Sequence, residues 1–173
     1  IHQKIAYEYT FNRGVNGVVS GYPTLELIKE RLIVAKKNSK KRIIWAPHWT
    51  IPRSDQLNRA CFLEYYDFFI EFASKNTDSI EIVMRPHPFL KGALYELDGW
   101  GKKKTDEYFE LWNSAPNLSI NEQDYIELFA TSDMLIHDGV SFLAEYLAVG
   151  KPVIFTRRKI PLDGPLNEFG EIC

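Results

Sequence analysis

Three polar clusters in this chain carry residues suited to handling a phosphate ester. Arg85-Pro86-His87-Pro88 sets a planar guanidinium beside an imidazole. The guanidinium fork matches two phosphate oxygens, and the flanking prolines stiffen the loop that aims the ring. His137-Asp138-Gly139-Val140-Ser141 places a turn ahead of a helical pattern that starts at Ser141. A helix start offers free backbone N–H groups and partial positive charge, and Gly139 lets another group come close to the backbone. Together these suit a phosphate. Glu145 falls one turn further on, on the side of Ser141, where it could accept hydrogen bonds from a ribose. The third cluster is Pro47-His48-Trp49-Thr50. Plainer roles stand beside these: Ser141 as an ordinary N-cap, Glu145 as a solvated helix residue, His48 or His137 as structural hydrogen bonders. A zinc site built from the three histidines is a weak alternative, because it lacks a close-spaced ligand pair.

The elements that position these clusters can be read from periodicity. Met134-Leu135-Ile136 is a short apolar run, as in a strand covered on both faces. After the turn, Phe142, Leu143, Tyr146 and Leu147 fall on one face at helical spacing, and Gly150 closes the helix. Pro152 prevents its continuation, and Val153 to Phe155 form the next strand. This is a βαβ unit, with parallel strands and a right-handed crossover.

Upstream, Val15 to Ser20 could be an edge strand or the end of a preceding domain. Thr24 can cap a helix with Leu25, Ile28, Leu32 and Ile33 on one face. The basic run Lys36 to Arg42 reads as its solvated terminus. Ile43 to Ala46 is a strand, and a long aromatic helix follows from Ser54 to about Ser74. Its Phe62, Tyr65, Tyr66, Phe68, Phe69 and Phe72 read as core. Ile80 to Met84 is a strand, residues 89–103 a loop, Thr105 to Trp112 a helix and Leu118 to Ile120 a strand. Asn121 caps a helix from Asp124 to Ala130, and a further helix can start near Pro165. Strands alternate with helices, so the fold class is α/β with a mostly parallel sheet covered on both faces. Ligands of such sheets bind beyond the carboxyl ends of the strands. Three of the four histidines fall there.

With 173 residues, 45% hydrophobic and 25% charged, the chain can build one full core. A formal charge of -2 gives no electrostatic reason to expect a nucleic-acid partner. Two cysteines, Cys61 and Cys173, make no disulfide framework, which fits a reducing compartment. The chain opens without a start methionine and ends soon after its last strand, so it reads as a piece of a longer protein.

The run from His137 to Ser141, with Glu145, Gly150 and Pro152, resembles the nucleotide-diphosphate motif of GT-B glycosyltransferases. Ser20-Gly21-Tyr22-Pro23, Ile44-Trp45-Ala46-Pro47 with His48-Trp49, and Arg85-Pro86-His87-Pro88 appear ahead of it in order. This succession is similar to the CDP-glycerol glycerophosphotransferase family of teichoic-acid-type polymer synthesis, over about residues 17–156. The family's Thr-Asp-Tyr-Ser-Ser reads His137-Asp138-Gly139-Val140-Ser141 here, and His48 stands where the family has Thr. The family's upstream Trp-His-Gly-Thr-Pro motif, with its proposed base, is not in this chain.

The resemblance implies a Rossmann-like, doubly wound sheet forming the C-terminal half of a GT-B fold. Residues 1–22 would be a linker or edge segment, and 23–173 the nucleotide-binding domain. His87 and Arg85 would act at the donor's phosphates, and His48 and His137 to Ser141, with Glu145, would bind the nucleotide. No cofactor is implied; a CDP- or UDP-linked donor is the substrate, and the helix start and basic groups can neutralise the leaving diphosphate without metal. The implied partners are an N-terminal acceptor domain of the same protein and a polymer or lipid-linked acceptor. The implied place of action is cytoplasmic, at the inner face of the bacterial membrane. A nucleotide-sugar glycosyltransferase and a non-catalytic Rossmann-like interaction domain are the alternative readings.

Overall fold

The structure, a computed structural model, describes residues 15, 21–35, 38–51, 60–139 and 142–156. Its centre is β1 (Lys41–Ala46), whose Ile44-Trp45-Ala46 run is buried from both sides. β2 (Ile80–Met84) and β3 (Leu118–Ile120) lie on one side of it. β4 (Met134–His137) and β5 (Val153–Phe155) lie on the other. All pairs are parallel, in the order β3-β2-β1-β4-β5. The register aligns the carboxyl ends: Trp45 pairs with Met84, Ala46 with His137, and His137 with Phe155. The chain winds outward to β3 and then returns to the far side of β1. The reversal of winding therefore lies between β1 and β4, where open α/β sheets form their ligand crevice.

Alternation along β1 and β2 divides two cores. Trp45, Ile82 and Met84 face α2 (Phe62–Lys75), α3 (Leu90–Tyr95) and α4 (Gly101–Ser114). Trp45 stacks at 4.3 Å on Phe69 and lies 5.6 Å from both Phe62 and Trp112. The aromatic helix is thus core at those positions, while Phe68 points out, 51% exposed. Ile44, Ala46, Val83 and Leu135 face α1 (Pro23–Val34), α5 (Tyr125–Thr131) and α6 (Leu143–Leu147). There the buried Tyr146 hydroxyl is satisfied by Ser132 Oγ at 2.8 Å.

Several boundaries differ from the sequence reading. α1 starts with Pro23, whose fixed φ suits a first helical position, so Thr24 lies inside the helix rather than capping it. Ile33 is exposed rather than on the buried face. Lys41 and Arg42 belong to β1 because distant acids pair with them: Lys41 Nζ with Asp133 at 2.8 Å and Arg42 Nε with Glu81 at 3.0 Å. The expected helix start at Ser54 lies outside the described residues; Ala60 and Cys61 are not helical, and α2 begins at Phe62. Within the expected loop 89–103, Leu90 and Leu94 enter the core and make α3. α4 begins at Gly101, before Thr105. Asp124, not Asn121, caps α5, accepting from the Ile126 N–H at 2.9 Å. α6 is only a short helix, and Leu147 at its end faces outward. Gly150 does take the left-handed conformation expected after it, with φ +72. The segment 16–20 and the helix expected near Pro165 lie outside the described residues.

Candidate nucleotide-phosphate site

Adjacent strands bring the three clusters together. β1 delivers His48, β2 delivers Arg85 and His87, and β4 ends on His137 ahead of Asp138 and Gly139. Backbone bonds carry the β1–β2 pairing past the strand ends: the Arg85 N–H donates to Trp45 O at 2.7 Å, and the His87 N–H to Pro47 O at 3.0 Å. The His48 and His87 rings consequently meet edge to face, centroids 5.0 Å apart. Gly139 lies against the His48 ring, where an added Cβ would sit 3.2 Å from His48 Cδ2. His48, Arg85, His87, His137, Gly139 and Phe142 line a small cavity of about 70 Å³. Beside it, Arg85 and His87 join Lys91, Phe109 and Glu122 around a second cavity of about 270 Å³.

His87 is half-buried, and its Nδ1 accepts from the Phe89 N–H at 3.2 Å. That bond assigns the remaining proton to Nε2, leaving a neutral ring with one N–H to donate. Burial pushes its pKa below the ordinary histidine value, so the neutral form prevails at pH 7. Arg85 donates from Nη1 to both Asn121 O and Asn121 Oδ1 at 2.9 Å. Asn121 thus orients the guanidinium rather than capping a helix. Burial lowers the Arg85 pKa, opposed by Glu122 and Asp124, and the group stays cationic. His48 Nδ1 lies 2.9 Å from Thr50 Oγ1.

His137 and Asp138 are sunk deeper. His137 is 1% exposed and burial lowers its pKa to about 4, so it walls the cavity as a neutral ring. Its Nε2 has no hydrogen-bond partner among the described residues. Asp138 accepts the His48 N–H at 2.7 Å and the Cys61 N–H at 2.6 Å. Burial raises its pKa to about 6 in spite of those two bonds. Val140 and Ser141 lie outside the described residues.

Glu145 is buried, not solvated. Its Oε1 accepts from the Tyr22 hydroxyl, and its Oε2 is without a partner among the described residues. The Tyr22 bond is the main cause of that tyrosine's raised pKa. Burial, then Glu145, pushes Tyr125 up to about 12. A buried carboxylate with one free oxygen can accept a ligand hydroxyl. Sequence reasoning missed Tyr22, Tyr125, Asn121 and Lys91. Of these Tyr22 had a local signal in the Ser20-Gly21-Tyr22-Pro23 motif and Lys91 in its place four residues past His87. Among the described residues no group of three or more His, Cys, Asp or Glu side chains could hold a metal ion, and no helix is long and apolar enough to cross a membrane.

A parallel, doubly wound Rossmann-like sheet brings basic and imidazole groups to its switch point, the place where open α/β sheets form their ligand crevice. The family model for CDP-glycerol:poly(glycerophosphate) glycerophosphotransferase matches residues 18–160. The chain belongs to that family, as its motifs led one to expect. No curated protein matches it. Among solved structures it is similar to the wall teichoic acid polymerase TagF, at 26% identity and a TM-score of 0.42, over 84% of this chain and 29% of that one. A variant of TagF gives 25% identity and a TM-score of 0.47 over 78% and 32%. KpsC of Thermosulfurimonas dismutans, a beta Kdo 2,4 transferase, gives 12% and 0.42 over 83% and 47%. The chain thus spans under a third of the TagF chain in the first of these matches.

Proposed function

We propose that this chain is the donor-nucleotide-binding part, a GT-B-type C-terminal half, of a transferase. That enzyme would move glycerol phosphate from CDP-glycerol to a cell-surface polymer of teichoic-acid or capsule type. Family membership supports the reaction class. The observation that carries the site is the meeting of His48, Arg85, His87 and Gly139 where the winding of the sheet reverses.

In the proposed reaction an acceptor hydroxyl attacks the phosphorus that bears glycerol. A new P–O bond forms, the bond from that phosphorus to the bridging oxygen breaks, and CMP leaves with the electron pair. The hydroxyl's proton passes to a base on the acceptor-side domain upstream in the same protein. Negative charge grows on the departing phosphate, and the His87 Nε2–H and the Arg85 guanidinium would stabilise it. A fixed donor that bonds more strongly as charge develops lowers the barrier rather than merely binding substrate. Glu145 Oε2 would take a ribose hydroxyl. The acceptor, a polymer or lipid-linked chain, would be met at the inner face of the bacterial membrane.

Calorimetric titration of this chain with CDP, UDP, GDP and ADP tests the reading. CDP should bind weakly but at least about tenfold tighter than the purine nucleotides, a difference of ~1.4 kcal/mol. A clear preference for UDP would move the assignment to a nucleotide-sugar transferase. No binding of any nucleotide would contradict it.

A further inference from the structure

Asp138 lies between two residues that line the candidate phosphate site, His137 and Gly139, but cannot present its carboxylate to a ligand. It is 5% exposed, and each oxygen already accepts a short backbone bond, from His48 at 2.7 Å and from Cys61 at 2.6 Å. Those amides belong to opposite ends of one connection. His48 lies just past β1, and Cys61 is the residue immediately before α2. A side chain from the β4 turn therefore ties together His48 and Cys61, which lie toward the two ends of the β1–α2 connection. The ring so held is the one that Gly139 packs on and that meets His87 edge to face.

We infer that Asp138 is a positioning residue: it ties His48 to the start of α2 and so fixes His48 at the phosphate pocket, and acts on the donor only through His48 and Gly139. The inference rests on the nucleotide-binding reading above. A carboxylate is the one side chain of this size with two acceptor oxygens and no donor. Asparagine would turn an NH2 group toward one of the two N–H donors and lose that bond. The groups facing Asp138 are Glu64 of α2, whose charge opposes its ionisation, His48 of the loop and the neighbouring His137.

The test has two arms. In the unmodified chain, amide NMR across a pH titration should show the His48 and Cys61 N–H resonances moving together, with one apparent pKa near 6. In Asp138→Asn, one or both of those amides should shift upfield and CDP should bind at least about tenfold more weakly, the loss of one charged hydrogen bond. Asp133→Asn, which alters a similar tie at the other end of β4, should leave CDP binding unchanged. Independent titration of the two amides, or wild-type CDP affinity in Asp138→Asn, would overturn the inference. If Asp138→Asn does not fold, the titration of the unmodified chain decides. If the unmodified chain binds no CDP, the nucleotide reading fails, and the amide titration still decides whether Asp138 holds His48.

Discussion

The two ends of the β1–β4 pair are tied by the same residue type in opposite ways. At the amino end, Asp133 accepts the Arg42 N–H at 2.9 Å and the Lys41 ammonium at 2.8 Å, with its side chain 30% exposed. At the carboxyl end, Asp138 accepts two backbone N–H groups while buried. Burial raises both pKa values. At Asp133 the Lys41 ammonium and the Arg42 N–H outweigh it and leave the carboxyl below its usual range. At Asp138 burial prevails and the carboxyl rises to about 6. The amino end is thus a wet, stabilising clasp. The carboxyl end is a buried one whose carboxyl is held above its usual range, and there the imidazoles and Arg85 converge. Strongly shifted groups gathered in a cleft point to function.

The largest effect expected from breaking this asymmetry is at His87. In the full-length enzyme, His87→Ala should lower turnover at least ~100-fold, the scale for removing one preorganised donor. CMP release under saturating donor measures it, and normal turnover would remove His87 from the chemistry. Gly139→Val comes next. Its Cβ would press on His48 Cδ2 at 3.2 Å, so CDP binding should largely vanish, with a stability loss of about 1–3 kcal/mol for an overpacked site. Calorimetry and chemical denaturation read the two effects.

Glu145→Ala should cost roughly 1–3 kcal/mol of CDP affinity and leave pyrophosphate binding intact, if the free Oε2 serves a ribose. An equal loss for pyrophosphate would make the acid structural. A smaller effect separates the two aspartates by pH. The raised pKa of Asp138 means the folded state binds more protons than the unfolded one, so this carboxyl's contribution falls as pH rises from about 4 to about 6. The lowered pKa of Asp133 gives the reverse: its contribution is present above about 4 and is lost as pH falls through the folded value. Melting temperatures against pH should lose the first slope in Asp138→Asn and the second in Asp133→Asn. The smallest change is Lys41→Ala, where an exposed pair contributes about 0–1 kcal/mol and CDP binding should not move.

What could be read ahead of the structure follows from how local each signal is. Val153 to Phe155 is an apolar run, Ile80 to Met84 and Leu118 to Ile120 are apolar but for Glu81 and Ser119, and all three are strands over those residues. The placing of His48, His87 and His137 at or just past strand ends was likewise local. α3 was hidden because Gly92 and a missing cap disguise it, and its helix depends on Leu90 and Leu94 finding the core. Lys41 and Arg42 look like a helix end until Asp133 and Glu81, distant in the chain, pair with them. Neither the burial of Glu145 beneath Tyr22 nor the inward turn of Asp138 is written in its neighbours. Each depends on a residue far away in sequence.

Amide NMR mapping of CDP added to this chain shows whether the carboxyl edge of the sheet, at the β1–β4 junction, receives a nucleotide phosphate. The largest perturbations are expected at His48, His87, Gly139 and Glu145, with Arg42 and Asp133 at the opposite edge unmoved. Perturbations centred on the amino edge, or absent from His48 and Gly139 at saturating CDP, would contradict that reading.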